Sequence, residues 1–462
     1  MAGADHDHRA DTMTILTVDF GSTFTKGALI ATDGSVLATA STPTTGTDGR
    51  AGRRDILDGY RTLRTRLGAP DDARVHACSS AGGGLRLAVV GYERTVTAEA
   101  GHRVGLSAGA KVVHVAHGPL TTKDVGGISR ARPDIILLVG GTDGGNSDVL
   151  LHNAARLGKG AIGGHGPHAV PVVLAGNCDA RAEATAVLDA AGRPVIEADN
   201  VLPEIGVIAP ESARRAIREA FLRHVIGGKG LSRDAAFGRM VEAATPDAVL
   251  RGVEVVGETR ADGDVLVVDI GGATTDVYSV ITPEGEDATL HKDVVAPLWH
   301  ARTVEGDLGM RWNAEHVVEA AESEHLLAGV ADVGALRSYA AHVHERPGSL
   351  PADDGERRLD LELARLAALV AVRRHARPAQ PPESARPLAN VSTLIGSGGV
   401  LRHTDDAGRE LVLGAVLGDH AGGWKVPRSA TALVDTAYLL YAVGLLDAHD
   451  PALARRVATQ LR

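Results

Sequence analysis

The chain has 462 residues, of which 44% are hydrophobic and 23% charged, and a formal net charge of −10. This length suffices for two domains or more, each with its own core. The negative charge, without a basic block or interleaved aromatic residues, argues against binding of nucleic acid by electrostatic attraction. Glycine is abundant, at 56 residues, and glycine-rich turns between aliphatic strands favour an α/β protein over a β-sandwich.

The cysteine content and the N-terminal segment indicate a reducing, cytoplasmic setting. Cys78 and Cys178 form no CxxC pair, which argues against a disulfide framework or a zinc site. Residues 1–12 are polar and lack the apolar core of a signal peptide, so they are predicted to be a disordered tail. No apolar run approaches the roughly 20 residues of a membrane span. We therefore expect a cytoplasmic protein without a membrane partner.

The first half of the chain is predicted to begin with a β-meander and to continue with alternating helices and strands. The meander comprises Met13–Phe20, Lys26–Thr32 and Val36–Ser41. Helices are then predicted at Ile56–Leu67, Ala98–Ala110 and Ser147–Leu157, and strands at Ala73–Ser79, Lys111–Ala116, Asp134–Val139 and Val170–Ala175. Pro210, in a favoured first-turn position, begins a helix that leads into the second half.

The second half is predicted to repeat this beginning. A strand with an acid and glycines occupies 265–272, and further elements are strands at Asp276–Thr282 and Thr289–Val295, helices at Leu361–Val372 and Ala432–Leu446, and exposed loops at Glu345–Arg358 and Arg377–Pro387. The predicted domains are a first lobe over residues 13–205, a second lobe with inserted loops over 206–430, and C-terminal helices over 431–462.

One stretch of the second half, Val265–Asp276, has the features of a phosphate site. Its aliphatic start has the pattern of a buried strand, which ends at Asp269 and is followed by two glycines and two threonines. Glycines let backbone N–H groups approach phosphate oxygens, hydroxyls add donors, and an acid holds Mg²⁺ through its waters. Alone, such a stretch is also compatible with an ordinary hairpin.

The same pattern occurs near the N terminus, where Asp19 ends a short strand and is followed by Gly21 and hydroxyl residues. Asp19 and Asp269 lie 250 residues apart. A second pair of landmarks, the strands that lead to Gly140 and Gly396, keeps nearly this offset, at 256 residues. Two landmarks repeated at almost one spacing predict two related halves.

A nucleotide held between two such halves needs a glycine turn and an acid from each, and a small-residue turn for the nucleoside. Asp19 and Asp269 are the predicted Mg²⁺ and water-positioning acids. The predicted nucleotide-binding residues are Gly21, Ser22, Thr23, Lys26, Gly271, Gly272, Ala273, Thr274, Gly396, Ser397, Gly398 and Gly399. For Lys26 the pattern leaves two readings open, a phosphate contact or a side chain that faces solvent.

These motifs resemble those of the actin, Hsp70 and sugar-kinase superfamily. Asp19–Thr25 is similar to its first phosphate motif, Asp269–Asp276 to its second, and Gly396–Val400 to its adenosine motif. The resemblance implies an α/β fold of two actin-like (ribonuclease-H-like) lobes with ATP and Mg²⁺ in the cleft between them.

A closer resemblance covers nearly the whole chain. Seven motifs occur in the order found in the GlmL/MutL family of accessory proteins of adenosylcobalamin-dependent glutamate (methylaspartate) mutase. They lie at residues 19–26, 77–80, 138–146, 175–177, 200–204, 269–276 and 304–309. One departure is Ser397, where a threonine is expected. The resemblance implies an ATP-driven reactivating chaperone and weak ATPase, with mutase subunits as partners, that exchanges damaged cobalamin for intact cofactor.

The sequence leaves the hydrolytic base and the overall function open. Asp143, Glu204 and Asp307 are all candidates for the hydrolytic base, because each lies on a turn that can face the cleft. Asp276 is predicted to brace its loop by accepting backbone N–H groups, and His375 to be the solvated end of a helix. Alternative functions are a small-molecule kinase of the same fold, a dehydratase-activator-like ATPase with an iron–sulfur cluster, and a scaffold that binds nucleotide without hydrolysing it.

Overall fold

The computed structural model describes residues 14–461 apart from several gaps. The gaps are 22, 46–54, 82–84, 94–96, 99–100, 102–103, 106–109, 165–168, 206, 208, 227–231, 233, 261–262, 282–299, 378–385 and 423–425. In the part of the chain that the structure describes, no helix is both long enough and apolar enough to cross a membrane.

The described elements alternate between strands and helices over most of the chain. The strands are β1 Thr14–Phe20, β2 Phe24–Ala31, β3 Val36–Pro43, β4 Arg74–Ser79, β5 Arg86–Gly91, β6 Lys111–His117, β7 Ile135–Leu138, β8 Val172–Leu174, β9 Val195–Glu197, β10 Val241–Ala244, β11 Val265–Ile270, β12 Thr275–Val280, β13 His300–Glu305, β14 Thr393–Ser397 and β15 Thr431–Val434. The helices are α1 Ile56–Leu67, α2 Thr122–Ala131, α3 Asp148–Lys159, α4 Arg181–Ala190, α5 Pro210–Ala220, α6 Ala235–Met240, α7 Thr245–Thr259, α8 Ala314–Ser323, α9 Val333–Glu345, α10 Asp354–Ala376, α11 Gly399–Arg402, α12 Asp406–Gly418, α13 Leu440–Asp447 and α14 Pro451–Ala458.

Two of the three sheets have the same topology. The first has the order β10-β4-β1-β2-β3, and the second has the order β15-β14-β11-β12-β13. In each, a central strand pairs antiparallel with the next strand along the chain and parallel with a later strand. The expected α/β fold with two similar lobes is therefore confirmed. The edge strand β10 of the first sheet comes from residues 206–430, which are predicted as the second lobe. The edge strand β15 of the second sheet comes from the predicted C-terminal segment 431–462.

The repeat differs from the prediction in one respect. By topology the counterpart of β14 is β4, whereas Gly140 follows β7, which belongs to the third sheet. The pairing of Gly140 with Gly396 as a second landmark is therefore wrong. Both glycines follow buried aliphatic strands, and a strand-to-glycine turn recurs wherever such a strand ends.

The third sheet is entirely parallel, with the order β6-β5-β7-β8-β9, and lies between β4 and β10 along the chain. Leu87 and Leu137 on its inner face share a core with Val18 of β1. A parallel sheet needs both faces covered, and this shared core covers one of them.

The two similar lobes are joined by a close crossing of α7 and α13. A Cβ added at Gly252 would lie 1.9 Å from the carbonyl oxygen of Leu440, and one at Gly444 would lie 1.8 Å from that of Ala248. Only glycine permits this approach of the two helix backbones. The helices also share a buried cluster with Ile30 of the first sheet.

Several predicted elements need correction or lie outside the described residues. Helix α10 begins at Asp354, inside the predicted loop Glu345–Arg358, because Asp353 caps it by accepting the N–H of Glu356 at 2.8 Å. The predicted helix Ala432–Leu446 starts instead as strand β15 and becomes helical at Leu440. The predicted strand Thr289–Val295 lies outside the described residues, as do parts of Ala98–Ala110 and Arg377–Pro387.

Candidate functional site

Two hairpin turns of the same geometry form the centre of the candidate site. Gly21 donates its N–H to the carbonyl of Phe24 at 3.1 Å, and Gly271 donates to the carbonyl of Thr274 at 2.9 Å. A Cβ at either glycine would lie 2.6 or 2.8 Å from the same acceptor oxygen. Both turns therefore need glycine, and each leaves a backbone loop open to a ligand.

Each turn follows a strand whose penultimate residue is an acid. Asp19 lies opposite Lys26 in the first hairpin, and Asp269 lies opposite Asp276 in the second. Asp19 is buried, and one of its carboxylate oxygens accepts a hydrogen bond of 2.5 Å from the Thr245 hydroxyl. The other carboxylate oxygen lies 3.9 Å from the ammonium nitrogen of Lys26.

The charges of Asp19 and Asp269 both raise the pKa of one lysine, Lys26. Burial raises the pKa of Asp19, and the charge of Asp269 raises it further, against the lowering effects of Lys26 and Thr245. Burial alone would lower the pKa of Lys26, but Tyr438, Asp19 and Asp269 together raise it above its usual value. The ends of β1 and β11 thus contribute to one charged cluster.

Asp269 differs from Asp19 in the contacts of its carboxylate with the described residues. It is half-buried, and within the described ranges it accepts no hydrogen bond and forms no ion pair. A carboxylate beside another acid and a lysine, with its oxygens free, suits a hard cation such as Mg²⁺ or its bound waters. The donor set therefore fits the predicted metal, with Asp269 and Asp19 as the residues that would hold it.

The third predicted loop lies against the end of β11. Ser397 is the register partner of Asp269. Gly398 has a φ of +110°, and a Cβ there would lie 2.2 Å from the carbonyl oxygen of Ile270. Gly399 begins α11 and has open space where a side chain would be. This arrangement places a turn without side-chain bulk beside Asp269, as a nucleoside requires.

Sequence reasoning missed one aromatic residue that lies between the two lobes. The ring of Tyr438 has the ammonium of Lys26 4.0 Å from its centroid and the guanidinium of Arg402 4.1 Å from it. Tyr438 also has a φ of +54°, which is rare for a residue with a side chain. The ammonium of Lys26 contacts Tyr438 and Asp19 and does not simply face solvent, while its contact with a phosphate stays a prediction. No sequence motif marks Tyr438, which lies within the segment Ala432–Leu446 that the sequence predicts as one helix.

Asp435 is a second residue that the sequence did not reveal. It is buried immediately after β15 and accepts the N–H groups of Leu439 and Leu440 at 2.8 and 3.1 Å, which ends the strand and starts α13. Burial raises its pKa to about 6, and the charge of Asp269 adds to this shift although the two hydrogen bonds oppose it. It belongs to the same charged cluster.

Asp276 has a different partner from the one predicted. Among the described residues it accepts no backbone N–H group; its carboxylate pairs with Arg302 at 3.1 Å and accepts a hydrogen bond from Thr274 at 3.5 Å. Burial raises the pKa of Asp276, against the opposing charge of Arg302. The turn is held from the other side, where Asn313 donates to the carbonyl of Ala273 at 2.8 Å.

The candidate bases fall at other places. Asp143 accepts the N–H of Cys178 at 2.9 Å and an amide proton of Asn200 at 2.8 Å, and its own N–H binds the carbonyl of Pro203, next to Glu204. Asp143 and Glu204 thus lie together in the loops that follow β7 and β9 of the third sheet, whereas Asp19 and Asp269 lie on β1 and β11.

Other predicted residues have simpler outcomes. Asp307 forms an ion pair with Arg374 at 2.7 Å. The predicted solvent exposure of His375 is wrong, since the ring is buried between the hydroxyls of Thr303 and Ser279, each at 2.9 Å. Thr23 is exposed at the first turn, and Ser22 lies outside the described residues.

Two sheets of matching topology, with paired acid–glycine hairpins at their centres, define a duplicated α/β protein. A family model described as MutL protein matches residues 15–461. The protein MutL of Clostridium tetanomorphum is 35% identical over 466 residues, which cover 96% of this chain and 97% of that protein. The chain belongs to the MutL family, and the resemblance predicted from its motifs is confirmed.

Solved structures of other proteins resemble the chain weakly. A ROK family glucokinase from Streptomyces griseus, solved with glucose and AMPPNP, is 14% identical with a TM-score of 0.33, covering 94% of this chain and 98% of that one. The activator of the 2-hydroxyisocaproyl-CoA dehydratase from Clostridium difficile, solved with ADPNP, is 11% identical with a TM-score of 0.29, covering 97% and 96%. Likenesses at this level add nothing to the description of the site.

Proposed function

We propose that the protein binds ATP with Mg²⁺ between the two hairpin turns and hydrolyses it slowly to reactivate an adenosylcobalamin-dependent glutamate (methylaspartate) mutase. The observation that carries the nucleotide site is the pair of matching hairpins, in which Gly21 and Gly271 close the turns that follow Asp19 and Asp269. Membership of the MutL family supports an accessory role toward mutase subunits. Cytoplasmic location stays a prediction.

Different residues of the site would contact the phosphates, the nucleoside and Mg²⁺. The backbone N–H groups of the Gly21 and Gly271 turns would bind phosphate oxygens, and the Gly398 turn would accept the nucleoside. Asp269 and Asp19 would hold Mg²⁺ and orient the attacking water. Bound Mg²⁺ would neutralise charge that develops on the phosphate oxygens. Lys26 would add a positive charge, which its raised pKa keeps in place at neutral pH.

The site gives less support to the iron–sulfur alternative. Cys78 is fully buried, and its thiol donates a hydrogen bond of 3.7 Å to the Asp19 carboxylate. Burial holds the pKa of that thiol well above its usual value. A thiol in that state is not available as a cluster ligand. Cys178 alone would supply two thiolates to a dimer, where an iron–sulfur cluster needs four.

The proposal is tested by a reactivation assay. Inactivated glutamate mutase is mixed with the protein, ATP, Mg²⁺ and fresh adenosylcobalamin, and the recovered mutase activity is measured. Asp269→Asn preserves the shape of the side chain while removing its charge. Asp406→Asn is the matched control, because Asp406 is fully exposed on α12 and pairs only with the neighbouring Arg409 among described residues. We expect recovery to fall at least about tenfold in the first variant and to be unchanged in the second.

Two results would contradict the proposal. Recovery that needs no ATP would remove the role of nucleotide, and equal recovery with Asp269→Asn would remove the role of this acid. Phosphate transfer to a small molecule in the absence of any mutase would favour the kinase of the same fold instead.

A further inference from the structure

Two histidines and a glutamate form a compact cluster on the first sheet, apart from the turns described above. The Nδ1 atom of His76 lies 2.8 Å from one carboxylate oxygen of Glu242, and the Nε2 atom of His449 lies 2.8 Å from the other. The two imidazole rings stack with centroids 4.0 Å apart and planes tilted by 31°. One ligand-type atom from each residue lies within 4.8 Å of the other two.

The three residues come from distant parts of the chain. His76 is buried on β4, and Glu242 is partly buried on the neighbouring strand β10. His449 lies in the turn between α13 and α14 and is partly exposed. Two of the ligands are therefore fixed by paired strands, while the third is on a turn that can adjust.

The chemistry of the cluster suits a borderline transition metal. Imidazole nitrogens and a carboxylate are ligands that Zn²⁺ prefers, and two histidines with one glutamate form a known three-ligand set that leaves a position for water. Each carboxylate oxygen of Glu242 already lies within hydrogen-bond distance of one imidazole nitrogen, so the three side chains face one another. Zn²⁺–nitrogen bonds near 2.0 Å require ligand atoms about 3.3 Å apart, so a small movement of the His449 turn would complete the set.

We propose that His76, Glu242 and His449 bind one Zn²⁺ ion, with water in the fourth position. The expectation that the chain has no zinc site rested on its two cysteines, and this ligand set contains none. Both histidines would bind as neutral imidazoles, each with its remaining proton on the other ring nitrogen. The ion would clamp the edge of the first sheet to the turn between α13 and α14.

The position of the cluster gives the clamp a structural consequence. His76 lies two residues before Cys78, and Glu242 lies three residues before Thr245. Within the described part of the chain, Cys78 and Thr245 donate hydrogen bonds to the Asp19 carboxylate. Zn²⁺ would therefore fix the two strands that set the position of Asp19's partners, and would tie them to the C-terminal helices.

The test measures zinc binding by the full chain. Metal-free protein is dialysed against ZnCl₂, bound zinc is counted per chain, and the Tm is measured with and without the ion. The variants are His449→Asn, which changes an exposed turn, and Glu242→Gln. The matched control is His420→Gln, an exposed histidine after α12. Zinc bound by other histidines, including His6 and His8, is common to all samples and cancels in the comparison.

We expect wild type and the His420→Gln control to bind one zinc more per chain than the other two variants, and to gain a few degrees in Tm at a hundredfold excess over Kd. Equal zinc stoichiometry and equal Tm gain in all four proteins would overturn the proposal. So would a lower metal-free Tm in His449→Asn without any change in zinc binding, which would make the cluster a hydrogen-bonded contact only. Since His449 lies outside the core, that variant is expected to fold.

Discussion

The Thr245 hydroxyl donates a hydrogen bond to Asp19, with 2.5 Å between Oγ1 and Oδ1, although 226 residues separate the two along the chain. Thr245 is the first residue of α7, directly after β10, and β10 joins the first sheet through β4. The strand that closes the first sheet therefore delivers a hydrogen-bond donor to the acid at the centre of that sheet. The equivalent position in the second sheet, directly after β15, is occupied by Asp435.

The first prediction concerns this hydrogen bond. Thr245→Val keeps the side-chain shape but removes the donor that lowers the pKa of Asp19, which burial already raises. The pKa of Asp19 then rises further, so a larger fraction is protonated at a given pH. If ATP hydrolysis needs ionised Asp19, the acid limb of its pH–rate profile shifts to higher pH in this variant.

Thr259→Val is the control for this measurement, because the hydroxyl of Thr259, at the other end of α7, donates to the carbonyl of Val256 and to no other described residue. An acid limb at the same pH in Thr245→Val and wild type would show that Asp19 does not control hydrolysis.

The second prediction concerns the second turn. In Gly271→Val the new Cβ would lie 2.8 Å from the carbonyl oxygen of Thr274, which the Gly271 N–H now binds. The turn must open, so we expect ATP affinity, measured by isothermal titration calorimetry, to fall at least about tenfold. The circular dichroism spectrum should stay near that of wild type because the turn is half-exposed.

Gly348→Val provides the comparison, since Gly348 is exposed between α9 and α10 with nothing within 4 Å of its Cβ position. An unchanged Kd for ATP in Gly271→Val would place the ligand elsewhere.

The sequence predicted the hairpins well because their signals are local. A strand, an acid and a glycine turn within ten residues define the register of Asp19 and of Asp269, and the offset of 250 residues is visible without a structure. The strand order of the two lobes is not local. β10 has four residues without periodicity, and its place beside β4 depends on packing across more than 150 residues.

The residues that were missed are those that complete the site through such distant contacts. Thr245, Asp435 and Tyr438 follow the last strands of the two sheets, and no motif marks them. His375 shows the same limit in the core: Arg374 and Arg377 beside it suggest a solvated helix end, yet its ring is buried against β12 and β13. The sequence cannot show which face of a long helix meets a sheet.

The third prediction uses the raised pKa of Asp435. In the folded protein this pKa is about 6, against a usual value of 3.8. The folded state therefore binds the proton more tightly than the unfolded chain. Stability is lowest above pH 6, where the buried carboxylate is ionised, and is regained as the pH falls from 6 toward 4. The shift of about 2 pH units corresponds to about 3 kcal/mol between these limits.

Asp435→Asn removes this component while keeping one acceptor for the N–H groups of Leu439 and Leu440. The free energy of unfolding, measured in urea between pH 4.5 and 7.5, should rise more steeply with falling pH in wild type than in the variant. Groups outside the charged cluster contribute equally to both proteins, so the difference reports the Asp435 carboxyl together with its coupling to Asp269 and Lys26. Parallel curves would show that the carboxyl has an ordinary pKa.

The fourth prediction concerns the crossing of α7 and α13. In Gly444→Ala the new methyl carbon would lie 1.8 Å from the carbonyl oxygen of Ala248, and backbone cannot yield as the end of a side chain can. The helices must separate, which breaks the buried cluster shared by both lobes. We expect a loss of at least about 2 kcal/mol in the free energy of unfolding.

Gly238→Ala is the matched change for this crossing, because Gly238 is exposed in α6 with nothing within 4 Å of its Cβ position. Alanine favours helix more than glycine does, so this variant should gain up to about 1 kcal/mol. Opposite signs for the same chemical change would show that the Gly444 effect comes from the helix contact. Since α7 carries Thr245 and α13 follows Asp435, separated helices would also move both residues relative to Asp19, and ATP affinity should fall together with stability. Normal stability and affinity in Gly444→Ala would mean that the two backbones are farther apart than described.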